Sequence, residues 1–170
     1  MTMKTKQIST KIIFAVICLV LIWIVVFKTS FSLSDISFLS GERRFNLIPF
    51  YYSEDVGRLH LREVILNILI FVPFGLYLRM LLASVKKTII FGAAFSLTLE
   101  LCQLILAIGS FDITDIITNT FGAILGIGIY ALSGVIIKKR HVADRVINIL
   151  CSAGLLLFLS FSMVLFLANR

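Results

Sequence analysis

The stretch GSFDITDIITNTFGAILG, from Gly109 to Gly126, sets two carboxylates and an amide ahead of an uncharged run that continues to Ile137. Taken as a helix from about Thr114, it puts Asp115, Asn119, Gly122 and Gly126 at i, i+4, i+7 and i+11, on one face. That face is polar for two turns and nearly bare of side chain for the next two. A polar group buried in lipid costs several kcal/mol unless it is satisfied, so the face must point at protein or trapped water. The remaining apolar segments read as its cover.

Composition supports that reading. The chain has 170 residues, 59% of them hydrophobic, and only two prolines. A soluble domain of this size has no use for so much apolar surface, so the fold class is all-α: a polytopic integral membrane helical bundle, a single domain over 1–170. The net charge of +7 comes from lysines and arginines clustered between apolar runs, as at membrane flanks. No aromatic-interleaved basic stripe accompanies them, so nucleic acid is not an expected partner. Cys18, Cys102 and Cys151 each lie inside an apolar run without CxxC spacing, which supports neither a metal nor a disulfide.

Five spans are expected, at about 12–27, 62–82, 88–108, 115–137 and 146–168. The basic start and first apolar run also fit a signal peptide, but no small-x-small cleavage site follows, so an uncleaved first helix is preferred. Residues 28–61 form a long polar connection in which charges mix with aromatics. It is read either as a segment folding back onto the bundle or as a surface loop with a proline turn. The second span carries Asn67, Pro73 and Gly75; Pro73 frees a backbone carbonyl one turn earlier. The third carries Glu100 and Gln103, i and i+3 on one face. The fifth is apolar on all faces apart from small hydroxyls and Asn148, and reads as a lipid-facing or packing helix without chemistry of its own. Counting Lys and Arg places the N-terminus in the cytoplasm and the C-terminus outside, with ten basic residues inside against six outside.

The polar residues then converge. At about 1.5 Å per residue, Gln103 lies roughly 8 Å and Glu100 roughly 12 Å from the outer end of the third helix. Asn67 enters the second span near the same level, and Asp112, Asp115 and Asn119 the fourth. These six are the candidate ligand-binding residues. A mid-helix carboxylate costs about 2.5–3.5 kcal/mol even on mild insertion scales, so Glu100 should face the bundle and hydrogen-bond Gln103 or Asn119. The plainer account is that Glu100, Gln103 and Asn119 hold helices together. Pro73, Gly75, Gly122 and Gly126 read as packing positions, the last two as a small-xxx-small step. Asp112 and Asp115 are close enough in sequence to share a proton or a divalent cation, but no histidine accompanies them, and Asp112 also suits a helix N-cap. No metal site or cofactor is expected.

At these residues the chain resembles the VanZ-like family of bacterial membrane proteins. The matching blocks are Asn46-Leu47-Ile48-Pro49-Phe50, then Asn67 with Phe71-Val72-Pro73-Phe74-Gly75, then Glu100-x-x-Gln103. Asp112-Ile113-Thr114-Asp115 with Asn119, Gly122 and Gly126 completes the set. The family pattern carries an arginine just before the first aspartate, where this chain has Ser110; Arg43, Arg44 or Arg62 would have to substitute as the partner of Asp112. The resemblance implies a plasma-membrane protein that lowers susceptibility to teicoplanin-type lipoglycopeptides without remodelling the wall precursor. Its expected partners are membrane lipids, with a lipid-linked cell-wall precursor or the acyl chain of the drug as ligand, met in an outer-leaflet polar pocket. Two alternatives stay open. One is an intramembrane enzyme on an envelope lipid, using Asp112, Asp115 and Glu100 as acid, base or metal ligands. The other is a homo-oligomeric lipid transporter or flippase.

Overall fold

The computed structural model describes residues 3–26, 45–51 and 57–168. Its elements in chain order are α1 (Met3–Val26), β1 (Phe45–Asn46), α2 (Gly57–Leu82), α3 (Val85–Leu106), β2 (Phe111–Asp112), α4 (Ile113–Ile136) and α5 (Arg140–Ala168). All five helices are long and apolar enough to cross a bilayer, as an all-α polytopic chain requires. The apolar windows run Ile8–Val26, Leu61–Leu82, Val85–Leu106, Ile113–Ile136 and Arg140–Ala168.

Every helix starts ahead of the residue the sequence suggests, the first at Met3 and the second at Gly57, and two of these starts have a local reason. The third helix starts at Val85 rather than Thr88 because Ser84 caps it, its side chain accepting from the Lys87 amide at 3.4 Å. The fifth starts at Arg140 rather than 146 because its charged first turns are held to α4. The Arg140 guanidinium lies 3.7 Å from the centroid of the Tyr130 ring. Asp144, one turn on, accepts from the Tyr130 hydroxyl at 3.1 Å.

α2 and α4 form the heart of the bundle, and their glycines allow it. A Cβ on Gly122 would strike the Ile68 carbonyl oxygen and sit 2.9 Å from Phe71 Cβ; one on Gly126 would sit 2.6 Å from the Leu76 amide nitrogen. Gly75 answers from the other side, its bare face against the Ala123 backbone. The helices therefore touch main chain to main chain. α2 passes through Pro73 as one continuous element. Beside this crossing, Phe74 stacks on Phe95 at 4.8 Å and 11°, with Phe71 and Phe14 tilted against the pair, which brings α1 and α3 onto α2. α5 stands apart, with only Ala143, Ile147 and Ser162 buried along its length.

The turns that join the helices bring the polar residues to one end. α3 closes on Ala107 in the left-handed conformation (φ 52°, ψ 37°). The Ala107 amide bonds the Leu104 carbonyl at 3.2 Å and the Ile108 amide bonds that of Gln103 at 3.1 Å, a Schellman closure built without glycine. The chain then turns back as β2, which pairs in parallel with β1 (Phe45 with Phe111, Asn46 with Asp112). Of the long connection, residues 45–51 thus fold back onto the bundle; its remainder up to residue 56 lies outside the described residues.

Candidate functional site

Where α3 ends and α4 begins, a layer of carboxylates and amides links the elements at that end of the bundle. Glu100 is fully buried, and its Oε2 accepts from the Asp112 amide at 2.9 Å. Asp112 caps α4: one carboxylate oxygen accepts from the Thr114 amide at 2.7 Å, the other from the Asn46 side-chain amide at 3.0 Å. Asn46 in turn shapes its own turn, its Oδ1 accepting from the Ile48 amide at 3.3 Å. Thr114, also fully buried, accepts from the Phe50 amide at 3.1 Å. The Asn46–Tyr51 segment is thereby pinned across the start of α4 at two points.

One turn further along α4, Asp115 accepts from the Asn67 side-chain amide at 2.7 Å, which ties α2 to α4. Asn119 is fully buried and donates to Ser96 Oγ at 2.9 Å, tying α4 to α3. Its Oδ1 is buried and accepts no hydrogen bond from the described residues. Gln103 donates to the Val25 carbonyl at 2.6 Å at the end of α1, with Gly109 packed against its amide: a Cβ there would lie 3.3 Å from Gln103 Cδ.

All six sequence-selected polar residues therefore lie in this layer, but their pairing differs from expectation. Gln103 bonds Val25 and Asn119 bonds Ser96, so neither serves as the partner of Glu100. The turn after Ala107 folds over the end of α3, and it is the Asp112 amide that reaches the Glu100 carboxylate. Arg43 and Arg44, suggested as partners of Asp112, lie outside the described residues. Arg62 is exposed, and among the described residues the side chain that meets the Asp112 carboxylate is the neutral amide of Asn46. Sequence reasoning passed over Ser96 and Thr114. Ser96 stands at i−4 from Glu100 and i−7 from Gln103, a spacing that marks the same face of α3. Among the described residues, no group of three or more His, Cys, Asp or Glu side chains is arranged to hold a metal ion.

This layer falls within the part of the chain that matches known proteins, since the VanZ/LLP1 family model covers residues 14–137. The chain belongs to the VanZ/LLP1 family. Protein VanZ of Enterococcus faecium is 37% identical to it over 143 residues, 83% of this chain and 84% of that protein. No solved structure matches. The family match begins within α1 at Phe14 and stops just past α4, so it takes in every residue of the polar layer. α5 falls beyond it.

Proposed function

We propose that this protein lowers susceptibility to teicoplanin-type lipoglycopeptides by binding a lipidic ligand of the cell envelope at the polar layer of α2, α3 and α4. Membership of the VanZ/LLP1 family supports the resistance role. The observation that supports the site is the combination of a fully buried Glu100 with a fully buried Asn119 whose Oδ1 accepts nothing from the described residues. Structural bonds alone would satisfy such an acceptor; an unfilled one beside carboxylates suits a donor brought by a ligand. The apolar and aromatic Asn46–Tyr51 turn pinned over α4 gives the layer a greasy margin, suited to an acyl chain entering beside a polar head. With the N-terminus cytoplasmic, as the basic flanks favour, the layer faces the outer leaflet, where lipid-linked wall precursors and acylated drugs meet the membrane.

The test compares teicoplanin and vancomycin susceptibility in a sensitive Gram-positive host carrying empty vector, wild type or Asp115→Asn at matched membrane levels. Protection against teicoplanin that Asp115→Asn abolishes is the expected result. Protection that survives in Asp115→Asn, Asn119→Ala and Glu100→Gln alike would remove the polar layer from the function.

A further inference from the structure

The opposite end of the bundle holds a second feature, unconnected with the polar layer. A cavity of about 1060 Å³ opens between α1, α2 and the loosely packed α5. That is at or above the top of the roughly 300–1,000 Å³ range of sites that enclose a drug-sized molecule. Its inner wall is firmly built. The Tyr77 hydroxyl donates to Asn148 Oδ1 at 2.9 Å and Asn148 Nδ2 donates to Thr10 Oγ1 at 3.1 Å, one chain of bonds through α2, α5 and α1. The fifth helix, expected to carry no chemistry of its own, supplies the middle of that chain.

The lining is graded along the helix axis. His141 and Arg145 stand at the end nearest the basic flanks, whereas Ile13, Ile149 and Leu156 line the part deeper in the bundle. From His141 to Leu156 the groove follows α5 for about 22 Å, more than half the roughly 30 Å hydrocarbon core. The charge is one-sided as well. Lys86, Lys87, Lys138 and Lys139 flank this end. Asp144, the carboxylate in the lining, is engaged by Tyr130 and by Arg140 at 3.8 Å. Arg145 makes no ion pair among the described residues.

We propose that this groove seats one anionic glycerophospholipid, its phosphate held by Arg145 and His141 and an acyl chain lying along Ile13, Ile149 and Leu156. A groove open to hydrocarbon is filled by chains in any bilayer. What selects an anionic lipid is the positive charge at the polar end, where a basic side chain within direct reach of the phosphate contributes about 1 kcal/mol of attraction. The lipid also gives α5 the contacts that the bundle does not.

The test is native mass spectrometry of the full chain in mild detergent, titrated separately with phosphatidylglycerol and phosphatidylcholine. A single phosphatidylglycerol adduct is expected, preferred over phosphatidylcholine. Arg145→Gln should weaken it about fivefold, the equivalent of one basic contact. Lys139→Gln, which removes the same charge outside the lining, should weaken it by less than about twofold, as expected of a charge beyond direct reach. Ala153→Trp, which fills the groove from an exposed position on α5, should abolish it while thermal unfolding in detergent stays cooperative. Equal uptake of the two lipids, equal loss in the Arg145 and Lys139 variants, or undiminished binding in Ala153→Trp would each overturn the proposal. So would a dimer that excludes lipid and that Ala153→Trp dissociates, since the groove would then belong to a second copy of the chain.

Discussion

Adding one methyl group to the α2–α4 crossing should separate the packing role of its glycines from every other. At Gly126 the new Cβ would lie 2.6 Å from the Leu76 nitrogen and 3.0 Å from the Gly75 carbonyl carbon, against an ordinary contact of 3.4 Å or more. Both atoms are main chain, as is the still nearer Val72 carbonyl oxygen, and none can rotate aside as a side-chain tip does, so the two helices must part by at least about 0.8 Å. A gap of roughly 0.5–1 Å forfeits a quarter to a half of the dispersion attraction at each contact it opens. Overpacking of this kind costs about 3 kcal/mol, the upper end of its usual range. Alanine returns about 1 kcal/mol through its better helix propensity, which leaves Gly126→Ala and Gly122→Ala destabilised by about 2 kcal/mol. Gly128, two residues on, has nothing within 4 Å of the place a Cβ would occupy, so Gly128→Ala keeps the propensity gain of about 1 kcal/mol. Heating the detergent-solubilised protein and reading the surviving monodisperse fraction by size exclusion should place the first two variants roughly 4–8 °C below wild type and Gly128→Ala level or above. Gly122→Ala and Gly126→Ala that melt with wild type would refute the main-chain contact between α2 and α4.

Two further outcomes follow, one from a single residue and one from a bonded pair. Ala83, exposed between α2 and α3, holds a φ of 52° that an L side chain adopts at a cost; Ala83→Gly should therefore stabilise the protein by about 1 kcal/mol in the same thermal assay. Ser96→Ala and Asn119→Ala, combined in a double-mutant cycle of unfolding free energies, should show a coupling of about 0.6 kcal/mol, the average for hydrogen bonds between membrane helices; additive effects would deny their 2.9 Å bond.

The spans were readable because a bilayer leaves so few choices: an uncharged run of about 20 residues can satisfy its backbone only as a helix. The same constraint made Glu100 and Asn119 readable as inward-facing, since neither can face lipid cheaply. Their partners were not readable. Which donor meets Glu100 depends on how the Gly109–Phe111 turn folds over α3, and that rests on a left-handed residue at Ala107, where the sequence offers no glycine to announce it. The parallel pairing of Asn46 with Asp112 joins positions 66 residues apart through two-residue strands, too short for any alternation of polar and apolar residues to register. Asn148 looked like an isolated polar residue because its partners, Tyr77 and Thr10, sit on two other helices.

The pairing at the polar layer decides which substitutions can inform on function. Glu100 and Asp112 each hold backbone amides, the first at the turn before α4 and the second at its first turn. Truncating either would strand a buried N–H, a loss of about 1–3 kcal/mol that reduces folded protein whatever the site does. Glu100→Gln keeps a carbonyl oxygen for the Asp112 amide while replacing the acid by a neutral amide. Asp115→Asn likewise keeps an acceptor for the Asn67 amide. A functional loss in these two isosteric variants at wild-type abundance would therefore report on the carboxylate itself, whereas the same loss in Glu100→Ala or Asp112→Ala would not distinguish a ligand site from a helix cap. Asn119→Ala is informative for the complementary reason. It removes the buried acceptor that none of the described groups fills at the expense of one bond to Ser96, whose worth the double-mutant cycle measures independently.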